Sequence, residues 1–355
     1  MKTFIIAEAG VNHNGSLDMA MRLIDAAASA GADAVKFQTF RAAQLASKVA
    51  PKAQYQTRTT ASDESQFDML KKLELDEAAH LDLIAHAKTR RIEFLSTPFD
   101  SSTLELLTGR FGLTTIKVSS GDITNAPFLL EIARASQRVI LSTGMCTLAE
   151  VEAALGVLAF GFVGPADAQP GPAAFEAAYA SSAGQAALKE RVAVLHCTTE
   201  YPAPIAEVNL RAVDTLATAF GLETGYSDHT AGIHIPIAAV ARGSTIIEKH
   251  FTLDRELPGP DHKASLEPAE LTAMVAAIRD IEICLGDGIK RPTVSESRNK
   301  IVARKSLVLA RDVAAGEPLA LACKRPGNGV SPYLYWQLAG TPANRQYAAD
   351  EVLDA

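Results

Sequence analysis

The 355-residue sequence has few of the features that mark membrane, disulfide-bonded or dinucleotide-binding proteins. Its four cysteines are far apart and form no CxxC pair, which favours buried thiols in a reducing compartment. No apolar run approaches the roughly 18 residues needed to span a bilayer, and the run before Glu8 is too short for a signal peptide. No GxGxxG motif follows the first predicted strand, which argues against a dinucleotide site. We therefore expect a cytoplasmic protein without a membrane anchor.

The sequence also has no excess of positive charge. The net charge is -7 and the isoelectric point is near 5.7. Because nucleic-acid phosphates require a basic surface, we expect no nucleic-acid partner. The chain is 48% hydrophobic and 21% charged, which is typical of a soluble globular protein with a large core.

Eight short apolar segments alternate with amphipathic helical stretches in the first part of the chain. These segments are apolar on both faces, as are strands of a parallel sheet covered by helices. Eight strand–helix units predict a (β/α)8 barrel over residues 1–287, with an open doubly wound sheet as the alternative. The predicted strands are residues 4–10, 34–40, 93–100, 114–122, 139–144, 192–202, 223–230 and 245–252.

The pattern changes after the predicted barrel. Residues 288–302 are polar and basic, and we interpret them as a linker. Residues 303–355 alternate short β-like runs with turns and predict a small domain with little helix. Within the barrel, residues 164–185 are rich in Ala, Gly and Pro. We interpret that segment as a surface insertion on the face opposite the active site, with partner binding as the alternative.

Polar residues follow or end all eight predicted strands. Because the carboxyl ends of barrel strands form one site, we expect these side chains to converge. Burying so many polar groups without partners would be unfavourable, which indicates a functional site rather than a purely structural rim. The set is Glu8, Lys36, Gln38, Thr97, Lys117, Ser119, Ser120, Asp122, Ser142, Thr143, Thr198, Thr199, Glu200, Tyr201, Ser227, Asp228, His229, Glu248, Lys249 and His250.

His229 and His250 end two neighbouring strands. Each could be a hydrogen-bonded core histidine, or the two imidazoles could bind one divalent ion and leave positions open for water and substrate oxygen. Asp228 is a candidate partner behind a metal-binding histidine. The sequence leaves both readings open.

Lys36 and Lys117 lie inside apolar strands, where an unpaired lysine is rare. Three readings remain open: salt bridges with Glu8 or Glu248, an anion site completed by hydroxyl groups, and a Schiff-base lysine. Glu8 could be a structural carboxylate or an acid/base group.

Two residues outside the strands are also candidates. Asp261 follows a Pro-Gly-Pro turn and could accept hydrogen bonds from sugar hydroxyls, or belong to a solvated loop. Arg325 precedes a Pro-Gly turn in the small domain. It could be an ordinary surface arginine or reach into a neighbouring active site.

Taken together, the motifs resemble the sialic acid synthases, the bacterial nonulosonic acid synthases. The resemblance extends over nearly the whole chain and keeps the order of the motifs. The matching segments are AEAGVNHNGSLDMA, GADAVKFQTF, FLSTPFD, IKVSSGDITNAPFL, VILSTGM, LHCTTEYPAP, GYSDHTAGI, IEKHFTLDRELPGPDHKASLEP and KRPGNGVSP.

The resemblance implies a (β/α)8 barrel followed by a small domain similar to type III antifreeze protein (SAF, β-clip). It implies a homodimer in which the small domain of one subunit covers the barrel of the other. The implied reaction condenses phosphoenolpyruvate with an N-acetylated mannose-type sugar and releases phosphate.

The resemblance also implies roles for individual residues. His229 and His250 would hold a divalent metal, usually manganese, with magnesium or cobalt as alternatives, and Glu8 would act as acid or base. Asp122 departs from the glutamate common at its position. The implied phosphoenolpyruvate site is Lys36, Thr97, Lys117, Ser120, Ser142, Thr199 and Ser227. The implied sugar contacts are Gln38, Asp122, Tyr201, Asp261 and the partner subunit's Arg325.

The motifs CTTEYPAP, YSDHT and KHFTLD favour synthesis of N,N'-diacetyllegionaminate over N-acetylneuraminate. The pseudaminate branch is less similar at EAGVNHNG. Two alternatives from other classes are a Schiff-base aldolase that uses pyruvate and a non-catalytic protein that binds sugar or phosphate.

Overall fold

The computed structural model describes residues 2–47, 50–52, 57 and 65–354. The chain forms two compact units, Met1–Gly286 and Asp287–Ala355. Each unit is described by itself below.

The first unit is built on a parallel sheet of eight strands. The hydrogen-bonded order is β3-β2-β1-β8-β7-β6-β5-β4, and the two end strands, β3 and β4, contact each other. The sheet is therefore a nearly closed barrel. The predicted (β/α)8 fold is confirmed, and the open-sheet alternative is wrong. The strands are β1 Phe4–Gly10, β2 Ala34–Thr39, β3 Glu93–Pro98, β4 Thr115–Val118, β5 Arg138–Ser142, β6 Val192–Cys197, β7 Glu223–Asp228 and β8 Ile246–His250.

Helices connect the strands, and local sequence signals set several of their ends. Ser16 caps the first helix by accepting a hydrogen bond from the Met19 amide, and Gly31 ends it with a φ of 83°. The Thr147 and Glu150 side chains form a reciprocal cap on a later helix. The barrel helices are α1 Leu17–Ala30, α2 Ala42–Leu45, α3 Gln66–Leu73, α4 Glu77–Thr89, α5 Ser101–Glu105, α6 Ala126–Ala135, α7 Leu148–Val163, α8 Pro172–Ala180, α9 Ser182–Arg191, α10 Arg211–Phe220, α11 His234–Ala241 and α12 Pro268–Cys284.

The barrel interior has an apolar floor. Side chains alternate between the two faces of a strand, so residues two apart share a face. The inward positions at the start of the strands are apolar, and two residues later on the same face come Glu8, Lys36, Thr97, Ser142 and Glu248. Polar groups therefore lie at the carboxyl ends of the strands, above this apolar layer. The floor consists of Ile6, Ala34, Leu95, Ile140, Ala193, Leu195 and Ile246.

The segment predicted as a surface insertion is largely helical. It supplies α8 and the start of α9, and the Phe175 ring packs edge-on against Phe160 with centroids 5.4 Å apart. Within the part of the chain that the structure describes, residues 164–185 contribute nothing to the polar mouth of the barrel. The segment covers α7 instead.

The second unit is a small β-rich domain. Strands β9 Ser306–Leu309 and β10 Leu321–Lys324 pair antiparallel, and isolated bridges extend the pairing. This arrangement fits the SAF-like domain. The segment predicted as a linker is not wholly irregular, because helix α13 covers Val294–Ala303. A short helix, α14, covers Tyr335–Leu338.

Two sequence expectations concern the chain as a whole. Among the described residues, no helix combines the length and apolarity that membrane crossing requires. The cysteines are free, and the prediction of buried thiols is right for Cys197 but wrong for Cys284, which is exposed.

Candidate active site

A cavity of about 410 Å³ opens at the carboxyl ends of the barrel strands. It brings together every residue of the first unit for which the resemblance implies a role, except Asp122. Of the other strand-end residues, Ser119 and Glu248 also line the cavity, whereas Thr143, Thr198, Glu200, Asp228 and Lys249 do not. The lining residues are Glu8, Val11, Lys36, Gln38, Leu45, Gln66, Met69, Leu70, Leu73, Thr97, Phe99, Lys117, Ser119, Ser120, Gly121, Ser142, Met145, Cys197, Thr199, Tyr201, Ser227, His229, Glu248, His250, Pro260 and Asp261.

Strand register brings the ionisable groups together. Glu8 in β1 is aligned with Lys36 in β2 and, on its other side, with His250 in β8. Ser227 in β7 is aligned with Glu248 in β8. Side chains aligned on one face of neighbouring strands are close enough to contact each other, so the pairing itself assembles the site.

Lys36 is buried among oxygen atoms. Its Nζ lies 2.7 Å from Glu8 Oε2, 3.1 Å from Thr97 Oγ1 and 3.7 Å from Glu248 Oε2. Burial alone would lower the pKa of Lys36, but the charges of Glu248 and Glu8 outweigh it and raise the pKa. The amine is therefore held as a cation, which does not suit a Schiff-base nucleophile.

Lys117 faces the same space from β4. Its Nζ lies 2.7 Å from Ser142 Oγ and 3.6 Å from Glu248 Oε1. Burial lowers its pKa, and the attraction of Glu248 offsets this in part. The contacts of Lys36 and Lys117 with Glu8 and Glu248 match the salt-bridge interpretation. Both lysines also line the cavity.

Glu248 joins the two lysines. It accepts a hydrogen bond of 2.7 Å from Ser227 Oγ and is only 4% exposed. Burial would raise its pKa, but Lys117 and Lys36 lower it to about 2, so the group is a carboxylate. The roles implied by the resemblance do not include Glu248, although the strand-end pattern already placed it at the mouth beside Lys36 and Lys117.

The pKa of Glu8 is raised, in contrast to that of Glu248. Burial raises its pKa, and the neighbouring Lys36 cation opposes this without cancelling it. Gln38 Nε2 lies 3.5 Å from Glu8 Oε1. A carboxyl group with a raised pKa beside a cavity has the properties of an acid/base group.

The rings of His229 and His250 are neighbours, with centroids 5.5 Å apart and ring planes inclined by 62°. His229 Nδ1 lies 2.6 Å from the Thr198 carbonyl oxygen, so this nitrogen carries the hydrogen and leaves Nε2 as an acceptor. Burial lowers the pKa of both imidazoles, and the pKa of His250 lies well below its ordinary value. Both rings are therefore neutral, as metal coordination requires.

These observations fit a divalent metal held by the two imidazoles. His250 Nδ1 is buried, and no residue that the structure describes makes a hydrogen bond to it; the nearest carboxylate atom, Asp261 Oδ2, is 3.9 Å away. No group of three or more His, Cys, Asp or Glu side chains among the described residues is arranged to hold a metal. Two protein nitrogens would thus leave the remaining positions to water and substrate oxygen.

Asp228 does not support a metal-binding histidine as the sequence suggested. It points to the other face of β7, where its Oδ2 lies 2.5 Å from Lys249 Nζ. Both side chains are fully buried, and Asp228 also accepts a hydrogen bond from the Thr230 amide. The pair lies on the outward face because odd and even strand positions alternate. The partner of His229 is the Thr198 backbone instead.

Aromatic and hydroxyl groups complete the polar side of the cavity. The Tyr201 ring lies 4.2 Å from the His229 ring. Ser120 Oγ accepts a hydrogen bond of 2.9 Å from the Gly144 amide. A Cβ added at Gly144 would lie 2.4 Å from Thr199 Oγ1 and 2.9 Å from Ser120 Oγ, so only glycine allows these hydroxyls to approach each other.

Two predicted site residues lie elsewhere. Asp122 ends a short helical turn, Ser120–Asp122, is not on the cavity surface, and its Oδ1 lies 3.4 Å from Asn125 Nδ2. Burial raises its pKa. Arg325 belongs to the second unit, where its Nε donates to the Ala303 carbonyl oxygen at 3.0 Å.

Comparison with known proteins identifies the family. The sequence model of the NeuB family matches residues 23–290. The N,N'-diacetyllegionaminic acid synthase of Campylobacter jejuni is 50% identical over 355 residues, with 99% of each chain covered. That of Legionella pneumophila is 42% identical, with 99% of this chain and 94% of that one covered. The crystal structure of an N-acetylneuraminic acid (sialic acid) synthetase from Leptospira borgpetersenii, in complex with citrate, superposes with a TM-score of 0.67 at 33% identity and covers 84% of this chain and 90% of that one. This chain therefore belongs to the NeuB family.

Proposed function

We propose that this enzyme condenses phosphoenolpyruvate with 2,4-diacetamido-2,4,6-trideoxymannose to give N,N'-diacetyllegionaminate and phosphate. The observation that carries the proposal is the convergence of two buried lysines and two neutral imidazoles on one barrel mouth. The higher identity to the two legionaminic acid synthases than to the sialic acid synthetase supports this sugar over N-acetylmannosamine.

Phosphoenolpyruvate would bind between Lys36 and Lys117. It carries about three negative charges at neutral pH, and charge-assisted hydrogen bonds from buried ammonium groups are the strong kind. Hydroxyl groups near the lysines would donate to the same anion, and they are those of Thr97, Ser120, Ser142 and Thr199. Ser227 lines the same site but donates its hydroxyl hydrogen to Glu248.

His229 and His250 would hold the divalent metal, with manganese as the first choice and magnesium or cobalt as alternatives. When bound, the ion supplies Lewis-acid polarisation of the sugar aldehyde. The protein's part is to keep both imidazoles neutral and oriented, through burial and through the hydrogen bond between His229 and Thr198.

The bond changes follow from the substrates. The C2–C3 π electrons of phosphoenolpyruvate form the new bond to the aldehyde carbon, and the aldehyde oxygen takes up a proton. Water adds at C2, and the resulting tetrahedral carbon expels phosphate by cleavage of its C–O bond. The fixed charges of Lys36 and Lys117 face the oxygens on which negative charge develops, which favours the departure of phosphate.

Glu8 and Asp261 are the groups that would exchange protons in these steps. Burial, and then the charge of Glu8, raises the pKa of Asp261 to about 7. Glu8 would act at the reacting carbonyl, because its strand neighbours are Lys36 and His250. Gln38, Tyr201 and Asp261 would contact the sugar.

We also propose a homodimer in which the partner subunit covers the barrel mouth and supplies an arginine at position 325. Large apolar side chains of the second unit support a protein contact: Tyr333 is 92% exposed and Trp336 is 83% exposed. Trp336→Ser should shift the protein from dimer to monomer in light scattering. An unchanged dimer would contradict the contact at this surface.

The decisive assay is phosphate release from phosphoenolpyruvate with 2,4-diacetamido-2,4,6-trideoxymannose or N-acetylmannosamine, with and without a chelator. We expect phosphate release with the first sugar, slower phosphate release with the second, and no phosphate release with either sugar when a chelator is present. Irreversible inactivation by borohydride with pyruvate would indicate the aldolase instead. Binding of phosphoenolpyruvate without phosphate release would indicate a binding protein.

A variant tests the metal assignment separately. His250→Ala should abolish activity and manganese binding by calorimetry, and added manganese should not restore turnover. His86→Ala is the matched control, because this histidine pairs with Asp25 away from the cavity at 2.8 Å. Retention of manganese binding by His250→Ala would exclude His250 as a ligand.

A further inference from the structure

The cavity lining has an apolar part as well as a polar part. Its apolar part is formed by a small hydrophobic cluster that is separate from the large cores between the sheet and the helices. We name the members that line the cavity the apolar wall. They are Val11, Leu45, Met69, Leu70, Leu73 and Phe99.

One face of α3 supplies half of this wall. Gln66, Met69, Leu70 and Leu73 all line the cavity. Their spacing of i, i+3, i+4 and i+7 places them along one side of a helix. The charged residues between them, Asp68, Lys71 and Lys72, are exposed. The helix thus presents to the cavity one amide followed by three apolar side chains.

The apolar wall begins beside the imidazoles and continues around the barrel mouth away from them. The imidazoles end β7 and β8, and the wall comes from the segments after β1, which neighbours β8, and after β2 and β3. A sugar whose C1 reacts beside the imidazoles directs its far end away from them. The C2 substituent is adjacent to the reacting carbon, so the C4–C6 part of the sugar is the part that can reach the wall.

We propose that the apolar wall selects sugars with a methyl group at C6 over sugars with a hydroxymethyl group there. This inference rests on the proposed function. A methyl group loses nothing on leaving water for this surface, whereas a hydroxyl placed against it loses its water partners and gains none from these side chains. An apolar site discriminates against an added hydroxyl by up to about 100-fold. The wall is therefore the part of the site that recognises the deoxy position.

The test compares two sugars that differ only in the oxygen at C6: 2,4-diacetamido-2,4,6-trideoxymannose and 2,4-diacetamido-2,4-dideoxymannose. The readout is kcat/KM for phosphate release by the full-length enzyme with saturating phosphoenolpyruvate. The wild-type enzyme should prefer the 6-deoxy sugar by about 10- to 100-fold.

Leu70→Gln places an amide on the wall at a half-buried position, where the change should be tolerated by the fold. The preference should fall at least about tenfold, because the amide can hydrogen-bond O6 but not the methyl group. Leu70→Met should retain the preference. Ile283→Gln is the matched control, since this side chain is 80% exposed and outside the cavity. The KM for phosphoenolpyruvate should not change in any of these variants.

Leu45→Gln repeats the test from another segment of the wall if Leu70→Gln does not fold. Equal use of both sugars by the wild-type enzyme would overturn the inference, as would variants that lower kcat/KM for both sugars by the same factor. In both of those cases phosphate is still released and the proposed function stands. Absence of phosphate release with either sugar would refute the proposed function, and the inference with it.

Discussion

Glu248 gives the most informative test of the site's electrostatics. Its carboxylate lies 3.6 Å from Lys117 Nζ and 3.7 Å from Lys36 Nζ, and it is 4% exposed. Glu248→Gln keeps the size of the side chain and an oxygen for the Ser227 hydroxyl, but it removes the charge that both lysines share.

The magnitude follows from the protonation equilibrium. Burial would raise the pKa of Glu248, but Lys117 and Lys36 hold it at about 2 instead of the ordinary 4.5. That difference corresponds to about 3 kcal/mol of folding stability at neutral pH. Removing one member of a buried ion pair also leaves the other uncompensated, and such changes cost about 3–5 kcal/mol. We therefore expect Glu248→Gln to lower the free energy of unfolding by about 3–5 kcal/mol at pH 7.

The effect should depend on pH in a defined direction. The folded-state pKa of Glu248 lies below the unfolded-state value, so its stabilisation is complete above about pH 4.5 and disappears as the pH falls toward about 2. The difference between wild type and variant should therefore shrink over this range.

Urea denaturation followed by far-UV circular dichroism measures this difference in the barrel. The chain's one tryptophan, Trp336, belongs to the C-terminal unit, so its fluorescence follows that unit separately. Glu223→Gln is the matched control, because it removes a carboxylate from a partly exposed pair with Arg138 and should cost less than about 1 kcal/mol. Equal losses in the two variants would refute the assignment of Glu248 as the buried charge that joins the lysines.

Three further outcomes follow from the structure. Arg325→Ala should raise the KM for the sugar and leave phosphoenolpyruvate binding unchanged, unlike Arg311→Ala at another exposed position of the same unit; equal loss of both ligands would contradict a role in the sugar site. Gly144→Ala should lower kcat/KM for phosphoenolpyruvate at least about tenfold, because the added methyl group would displace hydroxyls that the anion uses; Gly171→Ala, which meets no atom within 4 Å, should have no effect on activity. Burial, followed by the neighbouring histidines, lowers the pKa of His13 from 6.5 to about 4. The free energy of unfolding should therefore fall by about 3 kcal/mol as the pH drops from about 6.5 to about 4. His13→Asn should lack this part of the acid denaturation profile.

Much of the fold and of the site could be predicted from local pattern. Alternation along a strand is a local property, so the apolar floor and the polar residues two positions later could be identified without knowing which strands are neighbours. The same argument found the two lysines and the two histidines. The caps of the first helix, Ser16 and Gly31, are also local, because capping depends on a few adjacent residues.

The site predictions that were wrong or missing depend on contacts between residues far apart in the chain. Asp228 resembles a histidine partner in the sequence, but it points outward and pairs with Lys249. Asp122 follows a strand as the other candidates do, yet its short turn keeps it off the cavity surface. The amphipathic pattern of α3 does not indicate which part of the chain its apolar face meets.

The sequence alone indicated eight strands with polar residues at their carboxyl ends, because the period of the apolar residues and the identity of the residues that follow them are local properties of the chain. Only the tertiary structure decided that the strands close into a barrel, that Glu248 joins both lysines, and that an apolar wall lines the same cavity as the imidazoles. The physical reason is that strand register and loop conformation depend on residues far apart in the chain, and these set which inward-facing groups are close enough to interact.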